Sequence, residues 1–222
     1  MTTRVTVALE ISPKRTFATA LDWPGWSRSG RTEADALAAL TGYADRYALV
    51  ARAAGQSVPT NGIVLEVTET ASGGSGTEFG VPSRVADADR RPTSAADGDR
   101  LARLVAAAWA RFDEVAAGAP EELRKGPRGG GRDRTKVVGH VVESDWYYAR
   151  EIGVRVKQPA ADDTALVASM RAAMLQALRS PSDGSPLADR RWTARYAAHR
   201  IAWHALDHAW EIEDRSTPAG QD

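Results

Sequence analysis

His204 and His208 stand four residues apart in DRRWTARYAAHRIAWHALDHAWEIEDR, the stretch from Asp189 to Arg215. It lacks Gly and Pro, and its Ala, Leu, Arg and Glu content favours helix. On a helix that spacing puts the two imidazoles one turn apart on one face, where both can bind one metal ion. HALDH is not the metalloprotease motif HExxH, because Ala205 stands where the catalytic glutamate would be. An open catalytic site takes three protein ligands. Outside this stretch the chain has one further histidine, His140, in KVVGHVVESDWYYAR. That segment also reads as a helix, so His140 can reach the pair if the two helices pack together.

Several side chains are candidates to assist. Glu143, three residues after His140, falls on its side of the helix and could orient a ligand or accept a proton. Asp207 and Glu211 can do the same, or form ion pairs with Arg200 or Arg215. The loop before the His140 helix carries Arg124, Lys125, Arg128, Arg132, Arg134 and Lys136. It is not a P-loop, since no Gly-Lys-Ser/Thr follows at the required spacing. Arg132 and Arg134 are candidates to hold a substrate's carboxylate or phosphate at the mouth of the site.

The elements that must position these groups follow from periodicity. Val5, Val7, Leu9 and Ile11 alternate, predicting a half-buried strand, and Ser12-Pro13-Lys14 turns the chain into a second strand over 16–21. Thr32 caps a helix with Asp35 at its third position. The helix runs until Gly55, and alternation over 63–68 predicts a third strand. Residues 1–70 thus read as a β-β-α-β module. Residues 71–98 are rich in Gly, Ser, Pro and Asp, and read as a linker. Helical spacing resumes at Asp99, and residues 99–216 read as four helices, the architecture of a bundle. Asp133 is the expected N-cap of the second and Asp163 opens the third. On the fourth helix Trp192, Tyr196, Trp203, Leu206 and Trp210 share a stripe at core spacing, with His199 beside it. Residues 217–222 read as a disordered tail. The fold class is α+β.

Composition narrows the function. The 222 residues carry 29 basic and 29 acidic side chains, so the formal net charge is zero. That speaks against a general nucleic-acid binder. There is no cysteine, which excludes disulfides, thiolate metal sites and a cysteine nucleophile. Thiol chemistry would have to come from a bound small molecule. No apolar run has the length of a membrane span, and MTTRVTVALEIS lacks a signal-peptide pattern. A cytoplasmic protein is expected.

Two resemblances sharpen this. The first hairpin, the LDWPGW loop, SGRTEADALAAL and the strand GIVLEVTE resemble a HicB-like small α/β domain. Members of that group often act as binding or oligomerisation modules, which puts a homodimer among the expectations. No helix-turn-helix accompanies it, so an antitoxin role does not follow. Residues 99–215 resemble the DinB-like four-helix-bundle metalloenzymes, whose motif is one histidine on the second helix and HxxxH on the fourth. His140, His204 and His208 match it. The resemblance implies a divalent ion, commonly zinc or nickel, held by three imidazoles with positions open to water or substrate. It also implies a thiol-dependent transferase or isomerase acting on a small molecule with a low-molecular-weight thiol such as mycothiol or bacillithiol. The rival expectation is a non-catalytic scaffold in which the histidines only pack.

Overall fold

The computed structural model describes residues 3–125 and 131–216. The expected tail at 217–222 and the centre of the basic loop, 126–130, lie outside the described residues.

Alternation builds the first strands as read. β1 (Thr3–Ile11) buries Val5, Val7 and Leu9, and β2 (Thr16–Ala20) returns antiparallel with Ala18 opposite Leu9. A strand that the sequence reading did not place, β3 (Ser27–Gly30), pairs antiparallel with β2. Its sequence, SRSG, carries no apolar alternation, so only its pairing reveals it. The helix expected from Thr32 is two helices, α1 (Glu33–Gly42) and α2 (Ala44–Ala53), which part at Tyr43. Gly42 at the break lowers helix propensity there. The Thr32–Asp35 capping box is present. β4 (Ile63–Ser72) runs beyond Thr68 and lies parallel to β1, giving the sheet order β3-β2-β1-β4. The expected β-β-α-β order is therefore β-β-β-α-α-β.

The stretch read as a linker carries structure of its own. It includes α3 (Ser75–Phe79), a 3-10 turn (Asp87–Arg90) and the first residues of α4 (Ala95–Gly118). Two carboxylates from the sheet hold it down. Glu10 accepts from the backbone N–H of Ser83 at 2.9 Å and of Arg84 at 3.1 Å, and from the Thr77 hydroxyl. Glu69 accepts from the N–H groups of Asp87 at 2.7 Å and Ala88 at 2.9 Å. Charge-assisted bonds of this kind are about twice as strong as neutral ones, and they replace the apolar anchors that the segment lacks.

Helices follow the sheet. α4 starts at Ala95 rather than Asp99, because Ser94 and Asp97 close a capping box. After it come α5 (Arg134–Glu151), α6 (Thr164–Arg179) and α7 (Ala194–Ser216). α4 packs on α6 and α7, and α5 packs on the same two. Asp163 caps α6 by accepting from Leu166 N–H at 3.0 Å. Asp133 stands at the N-cap of α5 but makes no capping bond; Glu121 accepts from Thr135 N–H instead, at 3.2 Å. A buried network ties three helices together. Asp145 accepts from Trp109 Nε1 at 3.2 Å and Arg171 Nε at 3.1 Å, and Arg171 also reaches Asp113 at 2.9 Å.

The aromatic stripe of α7 does not serve as read. Trp192 precedes the helix, and the ring of Trp203 stands edge-on to Phe17 of β2 at 6.1 Å. Trp210 meets Tyr43 at 4.9 Å, and His199 Nε2 bonds the Leu21 carbonyl at 3.0 Å. This face of α7 is the seam with the sheet. Gly25 makes the seam close: at φ 93°, a Cβ there would stand 2.8 Å from Leu206 Cδ1. Among the described residues no helix is long and apolar enough to cross a membrane.

Candidate metal centre

His140 comes from α5, and His204 and His208 come from successive turns of α7. Because α5 packs on α7, the three rings meet. His140 Nε2 and His204 Nε2 lie 3.2 Å apart, and each histidine offers a nitrogen within 4.8 Å of the others. Ring centroids form a nearly even triangle of 5.0, 5.0 and 4.7 Å. Two imidazoles on one tetrahedral ion, with bonds of about 2.0–2.1 Å, hold their nitrogens about 3.3 Å apart. The His140–His204 pair already has that separation. It also suits an N–H···N bond between two neutral rings, so the third ring must decide between the two accounts.

The surroundings keep two of the rings neutral. Burial pushes His140 down to about 4, helped by His208 and Arg132 and opposed by Glu211. His204, almost fully buried, is held well below the ordinary imidazole value by burial first and then by His208, Arg200, His140 and Arg132. A neutral ring is the form with a lone pair for a metal. His208 supplies the deciding detail. Its Nδ1 donates to Glu211 Oε2 at 2.8 Å, and Arg215 Nη1 donates to Glu211 Oε1 at the same distance. The His208 hydrogen bond, with the bond and charge of Arg215, holds the Glu211 carboxyl below its usual range, against its partial burial. A carboxylate can only accept, so the bond fixes a proton on His208 Nδ1 and leaves Nε2 as the nitrogen for an ion, the arrangement found around metal-bound histidines.

The other candidates separate. Glu143 is exposed and forms no part of the cavity wall, so the orienting or base role read from its spacing does not fit. Asp207 does line the cavity, with its carboxylate paired to Arg28 of β3 at 2.9 Å. Arg134 is committed elsewhere: it pairs with Glu121 at 3.0 Å and donates to the Ala119 carbonyl at 3.2 Å. Its expected substrate role gives way to holding the start of α5. Arg124 likewise donates to the Asp214 carbonyl at the end of α7. Arg132 remains on the cavity wall.

The cavity around the histidines measures about 510 Å³. Phe79, Gly80 and Val81, from the stretch read as a linker, form part of its wall. Sequence reasoning missed them, as it missed Arg28, because nothing local marks a contact across so many residues. A more enclosed cavity of about 260 Å³ lies between the sheet and α7, beside Asp89 and His199. Glu10 and Glu69 on its wall are already bonded to backbone N–H groups. Among the described residues, the one group of His, Asp or Glu placed to share an ion is His140, His204 and His208.

Comparisons of the chain with protein-family models, with curated proteins and with solved structures found no match. Three imidazoles, two of them held neutral and the third oriented by a carboxylate, beside an open cavity, can hold a divalent ion and leave positions for a further ligand.

Proposed function

We propose that the chain binds one divalent ion, zinc or nickel, through His140, His204 and His208, and acts with it on a small molecule. The observation that carries this reading is the 3.2 Å approach of two imidazole nitrogens beside a third ring tied back to Glu211. On this reading α4 to α7 form a DinB-like four-helix bundle, with ligands from its second and fourth helices. The sheet unit before it is a HicB-like module. The packing of α4 and α5 each on α6 and α7 supports that arrangement.

A bound ion would supply Lewis acidity, lowering the pKa of a water or thiol beside it. The chain's own groups do the rest. Glu211, backed by Arg215, fixes the His208 tautomer. Asp207, held by Arg28, presents a carboxylate at the wall. With no cysteine in the chain, a thiol in the reaction comes from solution. A cytoplasmic thiol transferase or isomerase using a low-molecular-weight thiol such as mycothiol fits these constraints.

Elemental analysis of protein purified without a histidine tag tests the reading. About one zinc or nickel per chain is expected, and His204→Ala should lose it while its helical circular dichroism is kept. Equal metal content in both proteins would overturn the proposal.

A further inference from the structure

The cavity wall carries charged and apolar groups that the metal reading leaves unexplained. Its two carboxylates are each compensated: Asp207 pairs with Arg28, and Glu211 with Arg215 and His208. Arg132 is exposed on the same wall and makes no ion pair or hydrogen bond with another described residue. Arg132 is therefore the one charge on the wall without a partner among the described residues, and a divalent ion would add positive charge beside it. A guanidinium so placed takes an anionic group.

The wall also holds apolar groups from two parts of the chain. Phe79 and Val81 come from the segment anchored to the sheet through Glu10, and Trp203 comes from α7. Phe79 is 87% exposed, more than any other large hydrophobic among the described residues. A single exposed aromatic needs no explanation, but this one stands on the rim of a cavity whose wall also holds Trp203. Its place is fixed from behind. Thr77, two residues earlier, is buried and donates to Glu10.

We infer that the cavity selects small organic anions with an aryl-sized apolar body, Arg132 taking the anionic group and Phe79 the body. The inference deepens the metal-centre reading, since it takes the cavity of the ion as that of the substrate. It gives the N-terminal unit a part in specificity, because that unit anchors Phe79.

Isothermal titration of the full chain, zinc-free and zinc-loaded, with 2-naphthoate, 2-naphthalenemethanol and acetate tests it. In both forms 2-naphthoate should bind at least about tenfold more tightly than either of the others, the ratio that one good contact supplies. Phe79→Ser should bring 2-naphthoate close to acetate, and Arg132→Gln should bring it close to the alcohol. Both side chains are exposed, so both variants should fold. Equal affinities for 2-naphthoate and acetate in the zinc-free protein, or a preference that survives Phe79→Ser, would overturn the inference. Selectivity retained in a chain that takes up no zinc would support it and sink the metal reading alone.

Discussion

A histidine binds a metal well when its second nitrogen is fixed, and of the three rings His208 has the strongest such tether, to Glu211 at 2.8 Å. His204 Nδ1 is buried without a partner among the described residues, so the site leans on Glu211. Glu211→Gln keeps the shape but weakens the acceptor. Zinc affinity, measured by competition with a chromophoric chelator, should fall about 10–100-fold. Glu143→Gln, a change at an exposed position off the cavity wall, should leave that affinity unchanged; an equal loss in both variants would remove Glu211 from its role. At this scale the three histidines were legible because a chain with four offers few combinations, and the four-residue step fixes a common face. Glu211 was legible only as one charge among several, since sequence does not show which partner a carboxylate takes. Arg28 and Phe79 left no local trace, because both reach the site through tertiary packing.

Helices with apolar spacing and capping residues were readable to within a few residues, and so was the first hairpin. β3 was not, because SRSG has no alternation and takes its conformation from β2. Nor was the order of residues 71–98, whose anchors are two sheet carboxylates rather than apolar side chains. The stripe on α7 was read correctly as buried and assigned to the wrong neighbour. Periodicity shows that a face is covered, and not by what. The Asp145 network, also unread, makes a prediction at the scale of packed helices. Burial pushes the Asp145 carboxyl from 3.8 up to about 6, outweighing the opposing pull of Arg171 and Trp109. Between those values the folded chain keeps a proton that the unfolded chain has released, so this group's contribution to stability falls as pH rises. Relative to Asp145→Asn, the wild-type protein should therefore lose up to about 3 kcal/mol between roughly pH 4 and 6. Above that it should stay level. Urea denaturation of both proteins across that range reads the difference, and parallel curves would contradict the shift.

α7 is shared by the whole molecule: one face carries His204 and His208 of the candidate metal centre, and another carries the seam with the sheet. Gly25→Ala should open that seam, since φ 93° is unfavourable for alanine and the new methyl meets Leu206. A loss of about 1–3 kcal/mol in urea denaturation is expected. The same geometry would couple the sheet to an ion held by the three histidines. If sheet and helices unfold together, an ion bound only by the folded chain stabilises both, by about 2.7 kcal/mol at a hundredfold excess over Kd. For a chain of this length that is roughly 5–10 °C in Tm. Hydrogen exchange distinguishes this from local stiffening. With zinc, amides of β1 and β2 should slow along with those of α5 and α7, although no ligand lies in either strand. Protection confined to α5 and α7, with two separate melting transitions, would show that Trp203, Trp210 and Gly25 make contact across the seam without coupling the sheet to the metal centre.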